Sequence, residues 1–178
     1  FEMMGNFSFG DYFKKQAIEF AWDFSTNVVK LDKNRIYISI YKDDDEAFEL
    51  WNKHIGISKE RIVRLNEEDN FWGPAGETGA CGPCSELYYD LGKENFPKCG
   101  DFATDYDSNR FIEYWNLVFN QFFKNKDGVF QPLTKTGIDT GLGLERLTLI
   151  SQGALSVYDI DLFKPMIGSS LLKTATNN

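Results

Sequence analysis

The stretch G-I-D-T-G-L-G-L-E-R-L, residues 137 to 147, sets three glycines around Asp139 and reaches the chain's last arginine, Arg146, as a helical pattern begins. Glycine permits close backbone approach and positive φ, and a helix start offers unpaired N–H groups at the positive end of a dipole. Such a place binds anions. The plainer reading is that Gly141 and Gly143 only allow tight packing of helix on strand, and on spacing alone the motif is weak. Asp139 and Arg146 strengthen it. They are opposite charges a few residues apart at the end of an apolar strand, one suited to an ammonium, the other to a phosphate or a purine face. Use of Asp139 as a helix N-cap competes with that role.

Other residues with chemical potential point to less. Cys81-x-x-Cys84 with Cys99 invites a zinc reading. A structural zinc wants four ligands, the fourth would have to be distant His54 or a carboxylate, and no second C-x-x-C is present, so no metal is expected here. The acidic run Asp43, Asp44, Asp45 and Glu46 reads as a solvated helix start favoured by the dipole rather than as a metal site. His54, the only histidine, falls in a surface helix and is not expected to be catalytic.

The elements that must position these residues follow from periodicity. Phe13, Ala17, Phe20, Ala21 and Phe24 share one helical face, predicting a helix over about 12–25 with Asp11 as its N-cap. R-I-Y-I-S-I-Y, 35–41, alternates as a half-buried strand with Ile36, Ile38 and Ile40 on one side. A second helix is expected from the acidic run to about Lys53. The Gly-, Pro- and Cys-rich segment 70–85 reads as a long structured loop. Strands are expected at 86–90 and across 111–123, the latter with a first turn that is helical, and 131–136 leads into the opening motif. Leu144, Leu147 and Ile150 then give the last predicted helix a buried stripe. No repeat or linker appears, so 1–178 is expected to form a single domain of the α+β kind.

Bulk composition bounds the function. With 178 residues, 42% apolar and 16% aromatic, the chain can bury a real core. Its net charge of −8 argues against gripping a nucleic-acid backbone through a broad basic face. An odd number of cysteines without a signal-peptide pattern predicts a reducing, cytoplasmic compartment, with an organelle left open. No apolar run approaches the ~20 residues that cross a bilayer, so no membrane partner is expected. Phe1 in place of an initiator methionine reads as the start of an excised piece.

The motifs also carry a resemblance. G-I-D-T-G-L-G-L-E-R-L resembles motif 3 of the class II aminoacyl-tRNA synthetases, in the D-T-G-x-G-L-E-R form of the alanine-specific branch. F-E-M-M-G-N-F-S-F-G-D-Y-F-K-K, 1–15, resembles the second half of that family's motif 2. The segments D-N-F-W-G-P-A-G-E-T-G-A-C-G-P-C-S-E and W-N-L-V-F-N-Q-F resemble its catalytic domain. The resemblance implies a largely antiparallel sheet flanked by helices. It implies an ATP-dependent ligase that joins alanine to ATP, with Mg²⁺ as part of that substrate, to give alanyl-adenylate and pyrophosphate, and then passes alanyl to the 3′ end of its tRNA. Orientation and charge stabilisation suffice for both steps.

Residue by residue, the resemblance makes Asp139 the receiver of the alanine ammonium and Gly141 the space beside it. Trp72 becomes an aromatic wall, and Asn116 and Val118 the pocket floor. If Asn116 points inward it needs a hydrogen-bond partner, for which the substrate carboxylate is suited. Arg146 corresponds to the motif 3 arginine over the adenine, reaching toward the γ-phosphate, with Gly143 beside it. Met3 and Phe7 correspond to the adenosine site, with Phe9 packed near, and Glu2 to a contact at the adenine amino edge. As bare sequence Trp72, Val118, Met3, Phe7 and Phe9 read equally as core.

By the same resemblance, motif 1, the start of motif 2 with its catalytic arginine, the tRNA-recognition region and the editing module lie outside this chain. No catalytic residue is therefore expected on it, and alone it is expected to be nearly inactive. A pocket shaped for a methyl group gains only about 1–3 kcal/mol per methylene, so serine and glycine leak through. The alternative is a non-catalytic module that keeps an amino-acid or adenylate pocket.

Overall fold

The computed structural model describes residues 1–74 and 76–175. In chain order the elements are β1 (Met3–Met4), β2 (Ser8–Phe9), α1 (Lys14–Asp23), β3 (Ile36–Tyr41), α2 (Asp45–Glu49), β4 (Ile62–Leu65), α3 (Glu67–Asn70), β5 (Phe71–Trp72), β6 (Gly79–Asp90), α4 (Phe102–Asp105), β7 (Phe111–Lys124), β8 (Phe130–Gly143), α5 (Leu144–Gln152) and α6 (Lys164–Ala175). The strands form one eight-stranded sheet in the order β1-β8-β7-β6-β3-β4, with β2 also on β8 and β5 on β6. Only β3 and β4 pair in parallel; every other described pairing is antiparallel, as expected for an α+β fold.

Alternation divides the sheet into two faces. Ile36, Ile38 and Ile40 of β3, Leu87 of β6, Trp115, Leu117 and Phe119 of β7, and Ile138 and Leu142 of β8 share the face that packs on the helices. Ala17, Ile18 and Ala21 of α1, Trp51, and Leu147, Leu149 and Ile150 of α5 complete that core. Trp51 is fully buried, and its Nε1 donates to Ser85 Oγ at 3.1 Å, which satisfies the one polar atom it brings. The opposite face bears a smaller aromatic cluster, Tyr88, Phe102 and Phe111, with Tyr37 packed tilted on Phe102 and edge-on to Phe111.

Several elements differ from their expected bounds. Helix α1 starts at Lys14 with Phe13 at the N-cap position, because Gly10 at φ 81° and the extended Phe13 turn Asp11 out of line. Phe20 lies off the buried face, which Ile18 occupies instead; Phe20 packs edge-on against Tyr12. After Asp23 the helix widens into a π-type turn, Phe24–Val28. The second helix begins at Asp45, capped by Asp44, whose carboxylate accepts from the Ala47 N–H and from the buried Lys14 ammonium. It continues as a π-type turn, Leu50–Ile55, in which His54 meets Glu19 at 2.6 Å.

The expected loop 70–85 is mostly sheet. Phe71–Trp72 pairs with β6, and β6 already begins at Gly79; Ala75 lies outside the described residues. Pairing with β7 outweighs the poor strand propensity of Gly, Pro and Cys, and Gly82 makes it fit: a Cβ there would lie 1.9 Å from the Phe119 carbonyl oxygen. No helical turn opens β7, which is strand from Phe111.

Beyond the end of β6 an ion pair fastens the chain. Arg110 donates from Nε and Nη2 to the two carboxylate oxygens of Asp90 at 2.7 and 2.6 Å, and from Nη1 to the Gly100 carbonyl. Burial works to raise the Asp90 pKa, but the Arg110 hydrogen bonds and the Gly92 N–H hold it below the usual carboxylate range. Replacing Arg110 with leucine strands that carboxylate, and the expected loss of stability is about 3 kcal/mol, read as a lower urea midpoint at pH 7. The deficit shrinks as pH falls through the Asp90 pKa of the variant, since a protonated partner needs no cation.

Candidate active site

The segment G-I-D-T-G-L-G-L-E-R-L, 137–147, lies on the last half of β8 and only its end enters a helix. Gly143 occupies the N-cap position of α5, so Asp139 is four residues too early to cap it. Within β8, Ile138, Thr140 and Leu142 are buried toward the helices, and Asp139, Gly141 and Gly143 take the opposite face. On β7, Val118 pairs with Asp139 and Asn116 with Gly141. The N-terminal segment is clasped to the other edge of β8: Thr140 Oγ1 accepts from the Asn6 N–H and donates to Asn6 Oδ1, at 2.9 and 3.0 Å. Met3 thereby pairs with Gly143, and its sulfur lies where a Cβ on Gly141 would approach within 2.9 Å.

These pairings enclose a cavity of about 620 Å³. Met3, Trp72, Asn116, Val118, Asp139, Gly141, Gly143 and Arg146 line it, so eight of the ten residues singled out from the sequence meet in one place. Trp72 is half-exposed and held at the rim by pairing of β5 with Gly82. Glu2 does not line the cavity; its N–H donates to Glu145 Oε1, and its carbonyl accepts the Leu144 N–H, the first of α5. Part of the helix start proposed to bind an anion is therefore already occupied. Phe7 and Phe9 line a second cavity of about 350 Å³ on the far side of Asp139, with Asn120, Lys135 and Gly137.

Besides Glu145, which lines the cavity from within the motif, two further carboxylates at the site are not singled out by the sequence. Glu113 lines the cavity and grips Arg146: Arg146 Nη1 donates to Glu113 Oε2 at 2.8 Å and to the Glu113 carbonyl at 2.7 Å. Strict alternation would send Glu113 to the helical face with Trp115 and Leu117. A register shift between Leu87 and Tyr88 leaves Tyr114 unpaired, and Glu113, opposite Tyr88, turns to the cavity face. Tyr114 is buried, with its hydroxyl on Ser25 Oγ at 3.0 Å.

The other is Glu86. One transverse row of the sheet reads Ser39, Glu86, Asn116, Gly141, all on the cavity face. Glu86 is buried; its Oε2 accepts from Ser39 Oγ and Tyr88 OH, both at 2.8 Å, and its Oε1 from Asn116 Nδ2 at 3.2 Å. Burial, then repulsion from Glu113, pushes its carboxyl up to about 7, against the hydrogen bonds from Tyr88 and Ser39 that favour the charged form. In both cases the available signal was a lone acid within an apolar, aromatic strand.

Cys81, Cys84 and Cys99 are free thiols, and among the described residues no three His, Cys, Asp or Glu side chains converge as metal ligands would. No helix among those residues is long and apolar enough to cross a membrane.

Comparison with known proteins identifies the architecture. The family profile described as tRNA synthetases class II (A) matches residues 1–177. The alanine-tRNA ligase of Campylobacter jejuni (strain RM1221) is 55% identical over 167 residues, which cover 94% of this chain and 19% of the relative. That of Leptospira biflexa serovar Patoc is 57% identical over 171 residues, covering 94% of this chain and 18% of the relative. The chain thus spans about a fifth of the length of these relatives, and it belongs to the class II tRNA synthetase family.

Burial followed by repulsion from Glu86 raises the Cys84 thiol, and burial alone raises Cys81. Because the thiolate is the reacting form, iodoacetamide at about pH 8 should label half-buried Cys99 first and leave Cys84 unmodified in the folded protein. Peptide mass spectrometry reads the order. Cys84 labelled as fast as Cys99 would mean that β6 opens in the native state.

Proposed function

We propose that this chain holds the amino-acid-activating site of an alanine-tRNA ligase. A carboxylate oxygen of alanine attacks the α-phosphorus of ATP, the bond from that phosphorus to the bridging oxygen breaks, and pyrophosphate leaves. In the second step a ribose hydroxyl at the tRNA 3′ end attacks the alanyl carbonyl, and AMP departs. Neither step needs a nucleophilic side chain.

The observation that carries this reading is one cavity bounded by Asp139, Arg146 and Trp72. Its volume is within the range of ligand pockets, roughly 300–1,000 Å³. Asp139 takes the alanine ammonium, beside the open space at Gly141. Val118 and Asn116 form the floor under the methyl and carboxylate, and Trp72 walls one side. Met3, Gly143 and Arg146 form the nucleotide end, where a guanidinium can stack on a purine and donate to a phosphate at once. The Arg146–Glu113 pair is half-exposed, so releasing Arg146 to ATP costs about 1 kcal/mol or less. Glu2 contributes through its backbone by anchoring the start of α5, and Phe7 through the packing of the neighbouring cavity. ATP arrives with Mg²⁺ as part of the substrate, since Mg²⁺ is commonly carried by phosphates and one or two carboxylates. The tRNA is bound chiefly by other parts of the protein, in keeping with this chain's acidity. Three free cysteines suit a reducing cytoplasm.

Alanine-dependent exchange of pyrophosphate into ATP by the full-length protein tests the reading. Replacing Asp139 with alanine should lower that exchange by about a hundredfold or more, because the ammonium loses the carboxylate that orients the amino acid for attack. Unchanged exchange would remove Asp139 from its role. Binding of an adenylate analogue by a wild-type protein that catalyses no exchange would instead favour a binding module.

A further inference from the structure

Glu86 takes no part in the reactions just described, yet it is the buried group closest in the hydrogen-bond network to the substrate end of the cavity. Its Oε2 is filled by Ser39 and Tyr88, which leaves Oε1 as the oxygen that addresses Asn116. An ionised carboxylate only accepts, so Asn116 must turn its Nδ2 toward Glu86. The consequence is visible on the other side of the amide: Asn116 Oδ1 is buried without a hydrogen-bond partner. That orphaned acceptor is a standing cost. A proton on Glu86 would give Oδ1 a donor, since the acid O–H can donate to it once the amide turns over, and Nδ2 would then face away from Glu86.

The surroundings make this carboxyl prone to take that proton. Facing it are Glu113 and Asn116 from β7, Asp69 and Asn70 from α3, Cys84 and Tyr88 from β6, Ser39 from β3, and the Tyr106 hydroxyl beside Asp69. None is a cation. Arg146 is paired with Glu113 instead.

We propose that Glu86 is a positioning residue: ionised, it holds the Asn116 amide with Nδ2 toward itself, so that this nitrogen, which also neighbours the weakly accepting Cys84 sulfur, can donate to the amino-acid carboxylate, and protonated, it lets the amide turn over so that the substrate loses this donor. The inference rests on the assignment of Asn116 to the alanine end of the cavity. It deepens that assignment by making amino-acid affinity depend on pH near neutrality. The ionised fraction of Glu86 grows as pH rises through about 7, so affinity rises with pH over the same interval. Alanine's own ammonium and carboxylate keep their charges there and do not contribute.

The test is pyrophosphate exchange by the full-length protein as a function of pH. For the wild type the KM for alanine should rise about tenfold between pH 8 and pH 6 if only the ionised form binds, while the KM for ATP stays flat. Glu86→Gln, which keeps Ser39 and Tyr88 satisfied but mimics the protonated acid, should give a high KM for alanine that no longer varies with pH. A Glu86→Gln profile identical to the wild type overturns the proposal. Ser39→Ala provides a second arm without touching the cavity: losing a donor to Oε2 raises the Glu86 pKa, so the midpoint of the profile should move to higher pH. A folded Ser39→Ala protein with an unmoved midpoint also overturns it. Wild-type exchange that ignores alanine would refute the functional reading and this inference with it; alanine-dependent exchange with unaltered variants refutes this inference alone.

Discussion

Everything at the cavity depends on how β7 is threaded between β6 and β8. Its pairings with β8 put Asn116 beside Gly141 and Val118 beside Asp139, and its pairings with β6 put the same two residues beside Glu86 and Cys84. A slip of one residue on either side would turn every one of these side chains toward the helices. The register is pinned from the other face, where Leu117 and Phe119 are fully buried and Trp115 packs edge-on against Phe24. The hydrophobic core thus fixes the geometry of a polar site on the opposite face of the sheet.

Charge at the cavity is lopsided. Asp139, Glu113 and Glu145 line it, whereas Arg146 is the only basic lining residue among those described. An acid-rich wall suits an ammonium and opposes a polyphosphate, so a polyphosphate ligand would need to bring much of its own compensation as a bound cation. Arg146 then supplies direction as much as charge. Held by Glu113 before any ligand arrives, its planar guanidinium starts from a defined place. The same carboxylate that orders Arg146 also raises the proton affinity of Glu86, so the two ends of the cavity share one electrostatic environment.

Much of this was legible in the chain itself, and the failures have physical causes. The motif around Asp139 and Arg146, the alternation of Ile36, Ile38 and Ile40, and the aromatic run of β7 announced the sheet and most of the cavity. Segment 79–85 did not, because its Gly, Pro and Cys residues carry poor strand propensity and are recruited by long-range pairing that local composition cannot express. Glu113 was hidden by a single bulged residue that reverses the alternation. Glu86 was hidden because nothing local says which acid within a strand will be buried, or by what. Asp11 as a cap failed for a smaller reason: the turn at Gly10 moves the helix start two residues beyond the expected position.

The clasp between Asn6 and Thr140 joins groups 134 positions apart in the chain. Closing so long a loop is entropically costly and rewarded only once the intervening strands are in place. The wall formed by Met3 therefore meets Gly141 and Gly143 late in folding, after β6, β7 and β8 have found one another. A nascent or partly folded chain has no complete pocket, and the cavity exists only once the two ends of this segment have come together.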